Sequence, residues 1–281
     1  MTVTVTPLEG PVGCLIEGVD PSAPLDDADF AAIRQAMVDH VAFVIPDMPD
    51  DPEWLLDFGR RFGPLVPHIL DQFHHPLSSE ISIIAMHMGD ETSRKTPEPA
   101  GAYWHSDQSY DANPSDAIFL YATRIPSDGG ETLAANMYLA YETLPRATKR
   151  RIAGKTAIHR YGWAGGPSVT GLTPEQQARY PDVEHPVVRV HALSGRKVLF
   201  VNPGFTVRIL GIEQDESDDL LAELFEHQLR PEFQYRHIWS VGQLLGVDNR
   251  ASIHCAVYNY TEPRRMLRMI VGCTEGTLRA A

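Results

Sequence analysis

Cysteine is scarce: Cys14, Cys255 and Cys273 are scattered through 281 residues. That is too few, and too dispersed, for a disulfide framework or a zinc ribbon, and it fits a reducing cytoplasm. Long apolar runs are missing as well, since no window approaches the roughly 18 consecutive apolar residues of a spanning helix. The opening MTVTVTPLEGPVG has neither the basic nor the apolar stretch of a secretory signal. Basic charge is also short: 24 Lys and Arg against 37 Asp and Glu leave a net charge of −13. Sequence-independent grip on nucleic acid or an anionic membrane needs clustered Lys and Arg, so neither is expected as a partner. No internal repeat, low-complexity tract or polar linker divides the chain. One soluble cytoplasmic domain spanning 1–281 is the expectation.

What is present suits a globular protein with a sizeable core: 43% hydrophobic and 22% charged residues. PLDDADFAAIRQAMVDH carries aspartates at its start and Phe30, Ile33 and Met37 at helical spacing, and runs into the strand-like VAFVIP. PEWLLDFGRRFG reads as a second helix with Pro52 at its start and Gly63 at its stop. A third is expected over 138–152, and a fourth in SDDLLAELFEHQLR with Ser217 as its cap. EISIIAMHM, AIFLYATRIP, FQYRHIWSVG, ASIHCAVYNY and RRMLRMIVG read as strands, and PVVRVHAL with KVLFVN as a hairpin turning at Ser194-Gly195. Strands dominate the middle and C-terminal portions, so the class is mainly β with flanking helices, a sandwich or barrel. The Gly/Pro-rich stretch 162–186 is too long for an ordinary connection. It is either a lid over a site, with Trp163 and Tyr180 as contacts, or a plain surface loop.

The chemistry concentrates in AYWHSDQSY. On a strand, residues two apart share a face, so His105 and Asp107 could reach one ion while Trp104 and Ser106 point away. A second histidine would complete the 2-His-1-carboxylate set, which leaves open positions on iron(II); the same ligands could hold catalytic zinc. His254, in a late strand-like segment, is the candidate. Beyond it, Arg264, Met266 and Arg268 share one strand face, where arginines are costly unless anions sit beside them. Otherwise the strand is a solvent-facing edge.

At these residues the sequence resembles the taurine dioxygenase-like (TauD/TfdA) family of iron(II)- and 2-oxoglutarate-dependent oxygenases. The likeness runs through GVDPSAPLDDADFAAIRQAMVDHVAFVIPD, FGRRFGPL, WHSDQSY, IPSDGGETLAANMYLAYETLP, DNRASIH and the arginine strand. It implies a double-stranded β-helix, the jelly roll of clavaminate synthase-like proteins, with iron held by His105, Asp107 and His254. Thr132 and Arg264 match residues that bind the distal carboxylate of 2-oxoglutarate, with Arg265 a competitor for the second role. Arg268 and His68 match substrate-side positions. Val247 stands where a tryptophan is usual. The implied activity is dioxygen-dependent oxidation of a small, acidic metabolite at a C–H bond, hydroxylation by default, with release of succinate and carbon dioxide. Tailoring of a larger biosynthetic intermediate by hydroxylation, desaturation or cyclisation is the alternative; from another class, a zinc hydrolase using the same triad. Related proteins form dimers or tetramers, so a homo-oligomer is expected.

Overall fold

Aspartates start the two N-terminal helices in the computed structural model, which describes residues 2–68, 71–86, 101–163, 178 and 180–274. After the hairpin of β1 (Thr4–Pro7) and β2 (Cys14–Glu17), Asp26 caps α1 (Asp27–His40) by accepting the Asp29 amide at 2.7 Å. Asp27 and Asp29 fill its first turn, where the helix dipole favours negative charge. Val41, at φ 68°, turns the chain directly into β3 (Ala42–Ile45). Asp51 likewise caps α2 (Pro52–Arg60), accepting the amides of Glu53 and Trp54. β4 (Ser82–Met86), β5 (Ala117–Arg124) and β6 (Thr132–Asn136) follow; the rest of the strand expected over EISIIAMHM lies partly outside the described residues.

Two expectations need correcting. The helix expected over 138–152 is two, α3 (Met137–Glu142) and α4 (Arg146–Ile152). Pro145, which has no amide hydrogen to donate, stands between them and begins the second. After β7 (Thr156–His159), β8 (Val183–Pro186), β9 (Val188–Val190), β10 (Lys197–Leu199) and β11 (Thr206–Ile209) comes α5 (Gln214–Gln228). Ser217 lies inside α5, not at its cap. Its buried hydroxyl instead accepts the Ile209 amide at 2.8 Å, tying the helix to β11. β12 (Gln234–His237), β13 (Leu244–Asp248), β14 (Ser252–Ala256) and β15 (Arg264–Val271) complete the chain.

The strands form a seven-stranded sheet in the order β1-β2-β3-β13-β5-β15-β4, facing smaller sheets β12-β6-β14, β11-β7-β8 and β9-β10. β9 and β10 are the expected hairpin, with Gly195 at φ 69° in its turn. One face of the large sheet, through Phe43, Phe119, Tyr121, Leu267 and Met269, packs on α1 and α2. The other, through Leu120, Ala122, Met266 and Ile270, packs toward the smaller sheets. Covered on both sides, β5 reads as a continuous apolar run instead of alternating. Each fully buried large side chain contributes roughly 1.5–3 kcal/mol. This is the jelly roll; its two layers open on the residues singled out above.

Candidate metal centre

The two histidines are joined through the backbone. The His105 amide donates to the His254 carbonyl at 3.0 Å, and the His254 amide returns the bond at 2.8 Å. Their imidazoles therefore lie side by side, ring centroids 4.3 Å apart. Asp107 closes the set: its Oδ1 is 3.6 Å from His105 Nε2 and its Oδ2 is 3.9 Å from His254 Nε2. One ligand atom from each of the three lies within 4.8 Å of the others, and all three residues are buried.

The route by which Asp107 gets there differs from the expectation. His105 makes only an isolated bridge, and residues 107–110 form a turn with Gln108 at φ 55°. No strand ladder holds the carboxylate, so another group must. Asn249, in the turn between β13 and β14, supplies it. Its Oδ1 accepts the Asp107 amide at 2.9 Å, and its Nδ2 donates to the Asp107 carbonyl at 2.8 Å and to the Ser115 carbonyl at 3.0 Å. One side-chain amide thus imitates a strand partner on both sides of the ligand. Ser106 does point the other way, its hydroxyl donating to the Asn249 carbonyl at 3.0 Å. Asp248 braces the same turn by accepting from Arg250 Nε and Nη2, each at 3.0 Å, and it meets His191 Nε2 at 3.0 Å.

Protonation states suit a cation. The His105 Nδ1 sits 2.8 Å from the Tyr103 carbonyl, which can only accept, so Nδ1 carries a hydrogen and Nε2 is the nitrogen turned toward Asp107. Burial, and next the neighbouring His105, push His254 down to about 3, leaving it a neutral imidazole at pH 7. For Asp107, burial works toward the acid form, but its polar surroundings, the Arg268 guanidinium foremost, outweigh it and hold the carboxyl well below the usual carboxylate range. Two imidazoles and one carboxylate converging in a buried cluster match the donor set of a 2-His-1-carboxylate iron site. His105, Asp107 and His254 are the residues that would hold the metal.

Across from them runs β15. Arg264, Met266, Arg268 and Ile270 share its inward face, as the alternation required, while Leu267 and Met269 pack toward the helices. Arg268 Nη1 is 3.4 Å from Asp107 Oδ2. Arg264 is 4% exposed, has no carboxylate partner among the described residues, and leaves Nε without a hydrogen bond. Gly130 packs against it: a Cβ there would meet Arg264 Cδ at 3.3 Å. Arg265 turns to the other face and donates to Thr123 Oγ1 at 3.0 Å. Thr132 lies opposite Ala256 in the pairing of β6 with β14, two positions along from the His254–Ala134 pair. Directly paired residues and their second neighbours share a sheet face, so Thr132 and His254 face the same way. His68 is half-buried beside Phe73, ring centroids 5.3 Å apart, and its carbonyl lies 2.8 Å from His74 Nε2.

Aromatic rings wall the cluster. Tyr103 lies 5.0 Å from the His105 ring, Phe205 6.0 Å, and Tyr110 packs on Phe205 and Tyr161 at 4.8 and 4.6 Å. Of the stretch 162–186, residues 164–177 and 179 lie outside the described residues. Trp163 donates to the Gly204 carbonyl at 3.3 Å, and Tyr180 meets Tyr110 and Tyr161. Sequence reasoning missed Asn249, His191 and Trp239. Only the DNR triplet itself was a signal, and it says nothing of its partners more than a hundred residues away.

Comparison with known proteins agrees with this arrangement. The model of the family described as "Taurine catabolism dioxygenase TauD, TfdA family" matches residues 4–270. An alpha-ketoglutarate-dependent 2,4-dichlorophenoxyacetate dioxygenase of Cupriavidus pinatubonensis is 31% identical over 95% of this chain and 96% of its own length. A pentalenolactone F synthase of Streptomyces avermitilis is 31% identical over 92% and 90%. Among solved structures, a taurine dioxygenase from Burkholderia xenovorans superposes with TM-score 0.81 at 29% identity, covering 98% of this chain and 92% of that one. AAD-2 in complex with Mn(II) and N-oxalylglycine gives TM-score 0.81 at 26% identity, over 99% and 100%.

Proposed function

The chain belongs to the TauD, TfdA family of alpha-ketoglutarate-dependent dioxygenases, and on that footing we propose that it oxidises an unactivated C–H bond of a small organic acid in the cytoplasm, hydroxylation being the outcome, with release of succinate and carbon dioxide. The observation that carries this reading is the pairing of the three-ligand cluster with two inward arginines on one facing strand. A buried guanidinium without a carboxylate is costly unless an anion joins it. Arg264 is such a guanidinium and is assigned to the co-substrate; Arg268, which faces Asp107, becomes one when a metal takes that carboxylate and is assigned to the substrate.

His105, Asp107 and His254 would hold iron(II), which would supply the chemistry of dioxygen activation and oxidative decarboxylation of 2-oxoglutarate. Arg264 and Thr132 bind the distal carboxylate of 2-oxoglutarate and so fix its orientation. Arg268 takes the acidic group of the substrate, with His68 on the substrate side, and holds the reacting carbon at a constant reach from the cluster. Tyr103, Tyr110 and Phe205 exclude water from it. The three protein ligands would leave room on the metal for 2-oxoglutarate and dioxygen, while Arg268 holds the substrate beside it.

A second reading, tailoring of a larger biosynthetic intermediate, is favoured by the likeness to pentalenolactone F synthases. One experiment separates the two. A panel of aryloxyacetates, sulfonates, alkyl sulfates and polycyclic lactone precursors is scored for stimulated succinate release by the iron(II)-loaded enzyme. Small acids should stimulate release, and Asp107→Ala should abolish it. Stimulation by the lactone precursors alone would favour tailoring; no conversion of 2-oxoglutarate with any metal would sink both readings.

A further inference from the structure

Trp239 sits where strand alternation no longer governs the chain, two residues past the end of β12. Its neighbour Ile238 is 74% exposed, yet the indole turns inward and is buried. What it does there is specific: Nε1 donates a hydrogen bond to Thr132 Oγ1 at 3.0 Å. The ring of His237 stands edge-on against the indole at 4.3 Å, and His237 is itself paired with Thr132 across β12 and β6. The indole is therefore fixed both by its hydrogen bond and by its neighbour's ring.

A threonine hydroxyl has a single hydrogen and can accept as well as donate; an indole N–H can only donate. With Trp239 donating to Oγ1, one of the hydroxyl's two lone pairs is engaged by protein and the oxygen is held in place. Its own hydrogen has no acceptor among the described residues, although Thr132 is only 3% exposed. A buried hydroxyl left in that state is a donor awaiting an acceptor. Without the indole the hydroxyl could rotate and bond locally to backbone, as threonine often does.

We propose that Trp239 is a positioning residue for the 2-oxo acid co-substrate, making Thr132 a committed hydrogen-bond donor to its distal carboxylate. This rests on the reading above that Thr132 and Arg264 receive that carboxylate. The consequence is selectivity: a hydroxyl hydrogen on one side and a guanidinium on the other favour a terminal carboxylate, with two charged acceptor oxygens, over a terminal amide, with one neutral one.

The test is a double-mutant cycle read by binding. 2-Oxoglutarate and its terminal amide, 2-oxoglutaramate, are titrated calorimetrically and anaerobically into the Mn(II)-loaded protein, using Trp239→Phe, Thr132→Val and the double variant. Trp239→Phe should weaken 2-oxoglutarate binding about tenfold, the scale of one compromised hydrogen bond to a charged group, and should narrow its preference over the amide. Thr132→Val should weaken binding at least as much, and adding Trp239→Phe to it should change little further. Mn(II) affinity should stay at the parent value, since the triad is untouched; Trp239→Leu, also without an N–H, is the second variant should the phenylalanine distort the fold. An unchanged affinity in Trp239→Phe, or a full additional loss in the Thr132→Val background, would overturn the proposal alone. An unchanged affinity in Thr132→Val would remove the underlying assignment of Thr132 and the proposal with it.

Discussion

The guanidinium of Arg268 lies 3.5 and 3.4 Å from the two carboxylate oxygens of Asp107, so a cation from the protein already faces the carboxylate expected to bind the metal. A dication and Arg268 compete for the same oxygens, and the arginine is free for a substrate anion once the metal takes them. Arg268→Gln should therefore leave Mn(II) affinity at neutral pH unchanged or tighter, while the KM for an acidic substrate rises about tenfold or more, the scale of a lost charged hydrogen bond. Calorimetry and steady-state kinetics measure the two effects separately.

Arg264 and Arg265 are neighbours with opposite orientations, and one experiment distinguishes them. Arg264→Ala should weaken 2-oxoglutarate binding tenfold to a hundredfold, on the order of one charge-assisted bond. Arg265→Ala removes a bond to Thr123 on the helix-facing side and should leave that affinity within about twofold. Titration of 2-oxoglutarate into each Mn(II)-loaded variant decides; reversed effects would transfer the role to Arg265.

Asn249→Asp preserves shape but replaces the donors to the Asp107 and Ser115 carbonyls with an acceptor. Loss of such outer support for a ligand typically costs about 10–100-fold in metal affinity. Mn(II) titration should show that loss in protein whose metal-free melting remains cooperative. If melting suffers while the folded fraction binds Mn(II) normally, Asn249 is structural only.

Gly204 leaves no room for a side chain. A Cβ there would stand 2.9 Å from His105 Cβ and from two atoms of the Tyr103 ring. Gly204→Ala should destabilise the fold by about 1–3 kcal/mol, the scale of overpacking a core, and weaken metal binding by displacing His105. Thermal melting with and without Mn(II) reads both.

Acid should loosen the metal-free protein before its carboxylates titrate. Burial pushes His185 and His237 down to about 4 from the usual 6.5 of histidine. In that interval the unfolded chain binds protons that the folded chain refuses, so stability rises with pH. The contribution is complete above pH 6.5 and is lost as pH falls toward about 4. His185→Gln should flatten the dependence of melting temperature on pH across that window; an unchanged slope would contradict the assignment.

Much of the site was legible because it follows short-range rules. The alternation on β15 correctly divided Arg264 and Arg268 from Leu267, and the i, i+2 spacing brought His105 and Asp107 into one cluster. That second success had the wrong cause, since a turn held by Asn249 does the work attributed to a strand. Asn249 and Trp239 escaped notice, and Ser217 was read as a cap, for a common reason: each acts through a hydrogen bond to backbone or side chain in another element, which periodicity does not encode. Pro145 was a visible break that the helical pattern around it concealed.

The reciprocal amide–carbonyl bonds between His105 and His254 weld the middle of the polypeptide to its C-terminal portion. A chain still emerging from synthesis offers an imidazole and a carboxylate with no third partner and no facing arginines. Metal capture thus belongs to the closing act of maturation, and loss of the final strands would abolish it outright even if everything before them folded.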